Sequence, residues 1–192
     1  MTQPRAYVIA HPGSCAVDDC VSSLKQYQWS YEVVPATLGT TITADTWASI
    51  GVELRPTGKM SRRLGAQGCW ISHYLLWRKC VESNSPLIVL EHDAVVTAQW
   101  PLDFVVDPHL VKLYTTAECK INPTYGLWSK GAHAYTITPV QAQQLICYSQ
   151  QHGAEAVDKH LGSSVLDWTF YTKDLVQLNP NRGPSSTSRA LR

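Results

Sequence analysis

Leu87-Ile88-Val89-Leu90-Glu91-His92-Asp93 is the stretch on which the fold reading turns. Four consecutive apolar residues are the pattern of a strand covered on both faces. The run then stops at an acid, a histidine and a second acid. Carboxylates directly after a buried strand are unfavourable unless they leave the core or meet a cation. In open α/β sheets, ligands bind at the carboxyl ends of strands.

The surrounding segments alternate between strand and helix patterns. Before the central run, Gly65 to Glu82 carries Ile71, Leu75, Trp77, Cys80 and Val81 at helical spacing on more than one face, which predicts a well-buried helix ended by Ser85-Pro86. Earlier still, Ala6–Ala10 reads as a strand running into His11-Pro12-Gly13, Asp18–Tyr27 as a helix, and Tyr31–Ala36 as a second strand closed near Pro35. Residues 37–60 read as a long loop holding a short helix near Asp45–Ile50. Downstream, Leu110–Tyr114, Ala132–Thr138 and Leu175–Leu178 read as strands. Thr138-Pro139 starts a helix running to about Gln151, and Val157–Leu161 is a short helix. The expected architecture is one α/β domain over residues 1–180 with a mostly parallel sheet, followed by a flexible tail, 181–192.

Composition narrows the function classes. At 44% hydrophobic and 16% charged, the 192-residue chain is not a disordered one. A formal net charge of +1 argues against a strongly basic nucleic-acid binder. No apolar run reaches membrane-spanning length, and AYVIA near the start is too short for a secretory signal core, so a cytoplasmic protein is expected. The six cysteines form no Cys-x-x-Cys pair and no zinc spacing with histidine, which predicts reduced, mostly buried thiols.

Three segments carry candidate chemistry. Glu91 and Asp93 lie two apart, so on an extended chain they would point the same way and could hold a hard divalent cation; a solvated strand end is the plainer alternative. Lys59-Met60-Ser61-Arg62-Arg63 precedes Gly65 and Gly68 at a helix start, which suits an anion or an exposed basic turn. Ser72 and His73 lie deeper in that helix, where a histidine is either a core hydrogen-bonding residue or a catalyst. Asp158 could be a general base, a helix cap or a surface acid, and Asp167 competes for the first role.

Taken together, these segments resemble glycosyltransferase family 25, the lipopolysaccharide-type galactosyltransferases. The family's Gly-Cys-x-x-Ser-His-x-x-x-Trp block stands as Gly68-Cys69-Trp70-Ile71-Ser72-His73-Tyr74-Leu75-Leu76-Trp77. Its Glu-Asp-Asp strand end stands as Glu91-His92-Asp93, with His92 in place of the middle acid. Its later signature matches Ala134-Tyr135-Thr136-Ile137-Thr138-Pro139-Val140-Gln141-Ala142, and its Val-Asp motif matches Val157-Asp158. The family's first-strand Ile-Asn-Leu is replaced by Ile9-Ala10-His11.

The resemblance implies a glycosyltransferase A-type fold with one Rossmann-like layer, a Mn²⁺ or Mg²⁺ ion, a UDP-sugar donor and an inverting displacement. It assigns metal binding to Asp93, Glu91 and His92, and donor binding to Arg62, Arg63, Ser72, His73 and Glu91. Asp158 becomes the base, with Asp167 in reserve. The acceptor would be a glycan or another hydroxyl compound. Hydroxylated bases of DNA are an alternative acceptor, for which Arg62, Arg63, Arg182, Arg189 and Arg192 could form a local patch. A sugar-nucleotide-binding module without turnover is the non-enzymatic alternative.

Overall fold

A computed structural model describes residues 3–181, apart from 56–59, 105–108 and 115–117. Lys59 and the expected tail beyond Asn181, with its three arginines, lie outside the described residues. In chain order the elements are β1 (Arg5–Ala10), α1 (Ala16–Gln26), β2 (Tyr31–Pro35), α2 (Ala44–Ile50), α3 (Leu64–Ser83), β3 (Leu87–Glu91), β4 (Ala94–Val96) and β5 (Leu110–Lys112). There follow β6 (Cys119–Asn122), β7 (Gly126–Ser129), β8 (Ala134–Ile137), α4 (Pro139–His152), α5 (Val157–His160), β9 (Trp168–Phe170) and β10 (Val176–Leu178).

The main sheet has six strands in the order β2-β1-β3-β8-β5-β9. β8 is antiparallel to both neighbours, and the other strands share one direction. The expected mostly parallel α/β sheet is therefore what forms. β3 lies inside it, between β1 and β8, and its four apolar residues are all buried. Alternation along β3 sends side chains to two cores. Leu87 and Val89 pack with Trp70, Trp77, Tyr135 and Leu145 on the α3–α4 side. Ile88 and Leu90 pack with Cys20, Leu24, Trp29 and Val176 on the α1 side. Glu91, next in the same alternation as Val89, turns toward α3.

Local chemistry sets the helix ends. Thr138 and Gln141 cap α4 reciprocally, with Pro139 in its first turn, and Thr43 and Thr46 do the same for α2. α3 is buried along most of its length and stops at Asn84 in the left-handed conformation. A close backbone approach sets its start. A Cβ on Gly68 would lie 2.2 Å from the Thr37 carbonyl oxygen, so only glycine lets the loop after β2 cross α3 here.

Several elements differ from expectation. Leu175–Leu178 forms a strand, β10, but it pairs with β4 in a separate ribbon and not with the main sheet. β4, β6, β7 and β9 have three or four residues each and show no local pattern of their own; they exist through partners distant in sequence. All six cysteines are free, yet Cys15, Cys119 and Cys147 are exposed, so the thiols are not mostly buried. No helix among the described residues is long and apolar enough to cross a membrane.

Candidate active site

Because β1, β2 and β3 are parallel, the loops leaving them open at one edge of the sheet. There they border a cleft of about 1390 Å³. His11-Pro12-Gly13-Ser14 follows β1, residues 36–40 follow β2, and Glu91-His92-Asp93 closes β3. Antiparallel β8 brings its entry residues Gly131, Ala132 and His133 to the same edge, and the Glu91 amide donates to the His133 carbonyl across 2.9 Å. Arg63, Cys69 and His73 of the α3 region and Glu155–Lys159 around α5 complete the lining.

A buried hydrogen-bonded chain orients Glu91. The indole Nε1 of Trp77 donates to the Tyr135 hydroxyl at 2.9 Å. That hydroxyl lies 2.8 Å from His73 Nδ1, and His73 Nε2 lies 3.3 Å from Glu91 Oε1. Indole can only donate and an ionised carboxylate can only accept, so the network assigns a proton to His73 Nε2. In the neutral ring, Nδ1 is then left to accept from Tyr135. The Cys69 thiol also donates to Glu91 Oε1, at 3.8 Å.

Burial pushes the Glu91 carboxyl up. The His73 hydrogen bond and the neighbouring imidazoles outweigh it, and the net direction is below the ordinary carboxylate value. Burial and the Glu91 charge hold the Cys69 thiol far above its ordinary value.

The ligand atoms of Cys69, His73 and Glu91 lie within 4.8 Å of one another. They do not suit a hard cation, since the thiol is protonated and both groups already spend their protons on Glu91 Oε1. Glu91 Oε2 makes no hydrogen bond among the described residues, and the Glu91 side chain is 26% exposed, opening on the cleft. His92 and Asp93 line the same cleft, and carboxylate oxygens are the donors a hard divalent ion takes.

Glu91 and Asp93 do line one cleft, but not through strand alternation. His92 and Asp93 occupy a turn, which interrupts the strand alternation. Asp93 also acts on the α1 side. Burial, and then the Asp93 charge, push the Cys20 thiol up to about 12.

Asp158 lines the cleft, half-buried at the start of α5. Burial pushes its carboxyl up, opposed by Lys112 and Lys159, while the Glu91 charge adds to the rise. Lys112 is a fully buried lysine on β5. It donates to Ser129 Oγ and lies 4.4 Å from the ring centre of Trp168. Burial depresses it to about 8.

Other expected residues lie elsewhere. Asp167 is exposed beside His109 and precedes β9, at the opposite edge of the sheet from Glu91, so it does not join Asp158. Arg62 is exposed in the turn Met60–Arg62 and is absent from the cleft wall. Ser72 is buried; its Oγ donates to the Gly68 carbonyl and accepts from the Thr37 amide, both at 2.8 Å. It therefore anchors the cleft loop after β2 and does not face the cleft itself. Sequence patterns alone do not single out His11, Lys112 or Tyr135 as site residues. Lys112 had a legible signal, a lysine inside the apolar strand pattern Leu110–Tyr114. His11 had none, because its neighbour in space is 81 positions away.

The family model for glycosyltransferase family 25 (LPS biosynthesis protein) matches residues 24–122, just over half of the chain. The chain belongs to this family of glycosyltransferases. Two solved structures are similar to it at 11% identity. One is the galactosyltransferase LgtC in complex with donor and acceptor sugar analogs, over 86% of this chain and 72% of that one, with a TM-score of 0.45. The other is the glycosyltransferase GlyE of Streptococcus pneumoniae TIGR4, over 90% of this chain and 46% of that one, with a TM-score of 0.47. Likenesses at this level do not bear on substrate or mechanism. No curated protein matches the sequence.

Proposed function

We propose that the cleft transfers a sugar from a nucleoside-diphosphate donor, a UDP-sugar, to a hydroxyl acceptor with inversion. The observation that carries this reading is the convergence of Arg63, Glu91, His92, Asp93 and Asp158 on one cleft at the carboxyl ends of β1 and β3. Asp93, His92 and the outer oxygen of Glu91 would hold Mn²⁺ or Mg²⁺. Such an ion supplies charge neutralisation to a departing diphosphate. Arg63 stands at the N-cap of α3, where its guanidinium and the helix dipole favour the same anion.

Asp158 takes the proton of the acceptor hydroxyl as its oxygen bonds to the anomeric carbon. The bond from that carbon to the diphosphate oxygen breaks, and the nucleoside diphosphate leaves with the electron pair. The charge of Lys112 opposes the burial that raises the Asp158 carboxyl and so favours the ionised form that accepts that proton.

The test compares wild type, Asp158→Asn and Asp93→Asn for UDP binding and for donor turnover with Mn²⁺. Asp158→Asn is expected to keep UDP affinity and to lose about 10²- to 10⁴-fold in turnover, the usual worth of a general base. Asp93→Asn is expected to lose Mn²⁺-dependent UDP binding. Unchanged Mn²⁺-dependent binding in Asp93→Asn, or a wild type that binds donors but never turns one over, overturns the reading.

A further inference from the structure

Asp158 stands on α5, a helix of four residues, and a single turn is too short to hold its own shape. Its N-cap, Ala156, offers no side-chain acceptor. Groups outside the helix therefore fix where Asp158 points. The residue placed to do so is Glu155, which lines the cleft, is only 3% exposed and has no part in the transfer described above.

The Glu155 carboxylate is engaged at both oxygens. Oε1 accepts from the Ala156 amide at 3.0 Å and lies 3.4 Å from Lys159 Nζ. Oε2 accepts from the Tyr125 hydroxyl at 3.0 Å. Burial pushes the carboxyl up, but the Ala156 amide, the Lys159 charge and the Tyr125 hydroxyl outweigh it and hold it below its ordinary value. A carboxylate this buried is costly unless it is partnered in this way.

Tyr125 belongs to the turn between β6 and β7, and that hairpin is fastened to the far end of α5 as well. The Ser163 amide donates to the Leu127 carbonyl at 2.8 Å, and Ser163 Oγ accepts from the Leu127 amide at 2.8 Å. A Cβ on Gly162 would lie 2.5 Å from the Tyr125 carbonyl oxygen. At the other end of the hairpin, Ser129 Oγ accepts from Lys112, whose charge favours the ionised form of Asp158. The hairpin thus grips α5 at both ends, and Glu155 is the side chain that makes the grip at its start.

We propose that Glu155 is a positioning residue for Asp158, holding the start of α5 on the β6–β7 hairpin so that the base meets the acceptor hydroxyl. The inference rests on the reading of Asp158 as the base and adds the frame that aims it. With both oxygens occupied, Glu155 acts through Asp158 and not on the acceptor.

The experiment measures melting temperature, UDP affinity and donor turnover with Mn²⁺ for Glu155→Ala, Glu155→Gln and Tyr125→Phe, each alone and in the Asp158→Asn background. Alone, Glu155→Ala is expected to lose about 10- to 100-fold in turnover, as a misaimed catalytic group does, with UDP affinity kept. Glu155→Gln keeps an acceptor for the Ala156 amide and a partner for Tyr125, and should recover most of that turnover. Tyr125→Phe removes one hydroxyl, should lose turnover in the same sense, and carries the test if Glu155→Ala does not fold. In the Asp158→Asn background none of the three should cost more than about twofold further, because the group they aim is gone. Wild-type turnover in Glu155→Ala or in Tyr125→Phe, a fall in UDP affinity that matches the fall in turnover, or the same fold loss with and without Asp158 overturns the inference and leaves Asp158 as the base. Wild-type turnover in Asp158→Asn itself overturns the base assignment, and the inference with it.

Discussion

His73 Nε2 donates to Glu91 Oε1 across 3.3 Å, and this one bond ties the middle of α3 to the last residue of β3. Its consequence is directional. One carboxylate oxygen is held by the protein, and the other is left to the cleft. The same histidine reaches back through Tyr135 to Trp77, so the orientation of a surface carboxylate is set by groups that water never touches.

Tyr135→Phe tests that chain. The change strands the Trp77 indole N–H and the His73 Nδ1 in a dry environment. We expect a loss of about 1–3 kcal/mol of stability, the penalty for an unsatisfied buried polar group. Chemical denaturation measures it. Wild-type stability in the variant would mean that the chain is not formed as described.

His160→Phe bears on acid stability. His160 is buried among Trp70, Trp77 and Tyr148, and burial, then the Arg55 charge, depress it to about 4 from an ordinary 6.5. The folded state therefore resists a proton that the unfolded state accepts. The resulting stability is fully present above pH 6.5 and is lost as the pH falls toward 4, by about 3 kcal/mol in all. Denaturation at several pH values should show a shallower decline for the phenylalanine variant through this window. Parallel curves would contradict the assignment.

Lys112→Met should shift the pH dependence of transfer. Removing the lysine takes away the largest charge effect that opposes the burial of Asp158, so the Asp158 carboxyl rises further. The acidic limb of the rate profile moves to higher pH, while UDP affinity at neutral pH is retained. A profile that does not move separates Asp158 from the role of base.

Gly68→Ala should damage the cleft from behind. The new methyl would meet the Thr37 carbonyl at 2.2 Å, and backbone cannot swing aside as a side chain can. We expect about 1–3 kcal/mol of destabilisation and weaker donor binding, because the displaced loop lines the cleft. Melting temperature and UDP titration read the two effects. A variant with normal stability would show that α3 and the loop are not in contact.

Much of the fold was legible because its signals are local. The apolar run Leu87–Leu90 identified the central strand, the two-faced spacing from Ile71 to Val81 identified the buried helix α3, and Thr138-Pro139 marked the start of α4. Each reports a periodicity or a cap that neighbours in the chain enforce on their own. Part of the cleft was legible for the same reason, since acids placed at the end of a buried strand need somewhere to go.

The remainder depended on pairings between distant segments. The chain alone placed Glu91 and Asp93 on one side by strand alternation; the structure brings both to one cleft through a turn at His92–Asp93, which no spacing rule reveals. Asp158 led and Asp167 stood in reserve for one role until the sheet put them at opposite edges. That His11 meets His92, and that Tyr135 reaches His73, follows from strand order and register alone. Local sequence sets which residues turn inward or outward along each element. Only the packed sheet decides which of those residues become neighbours, because that choice is made by burial across the whole core and not by any one segment.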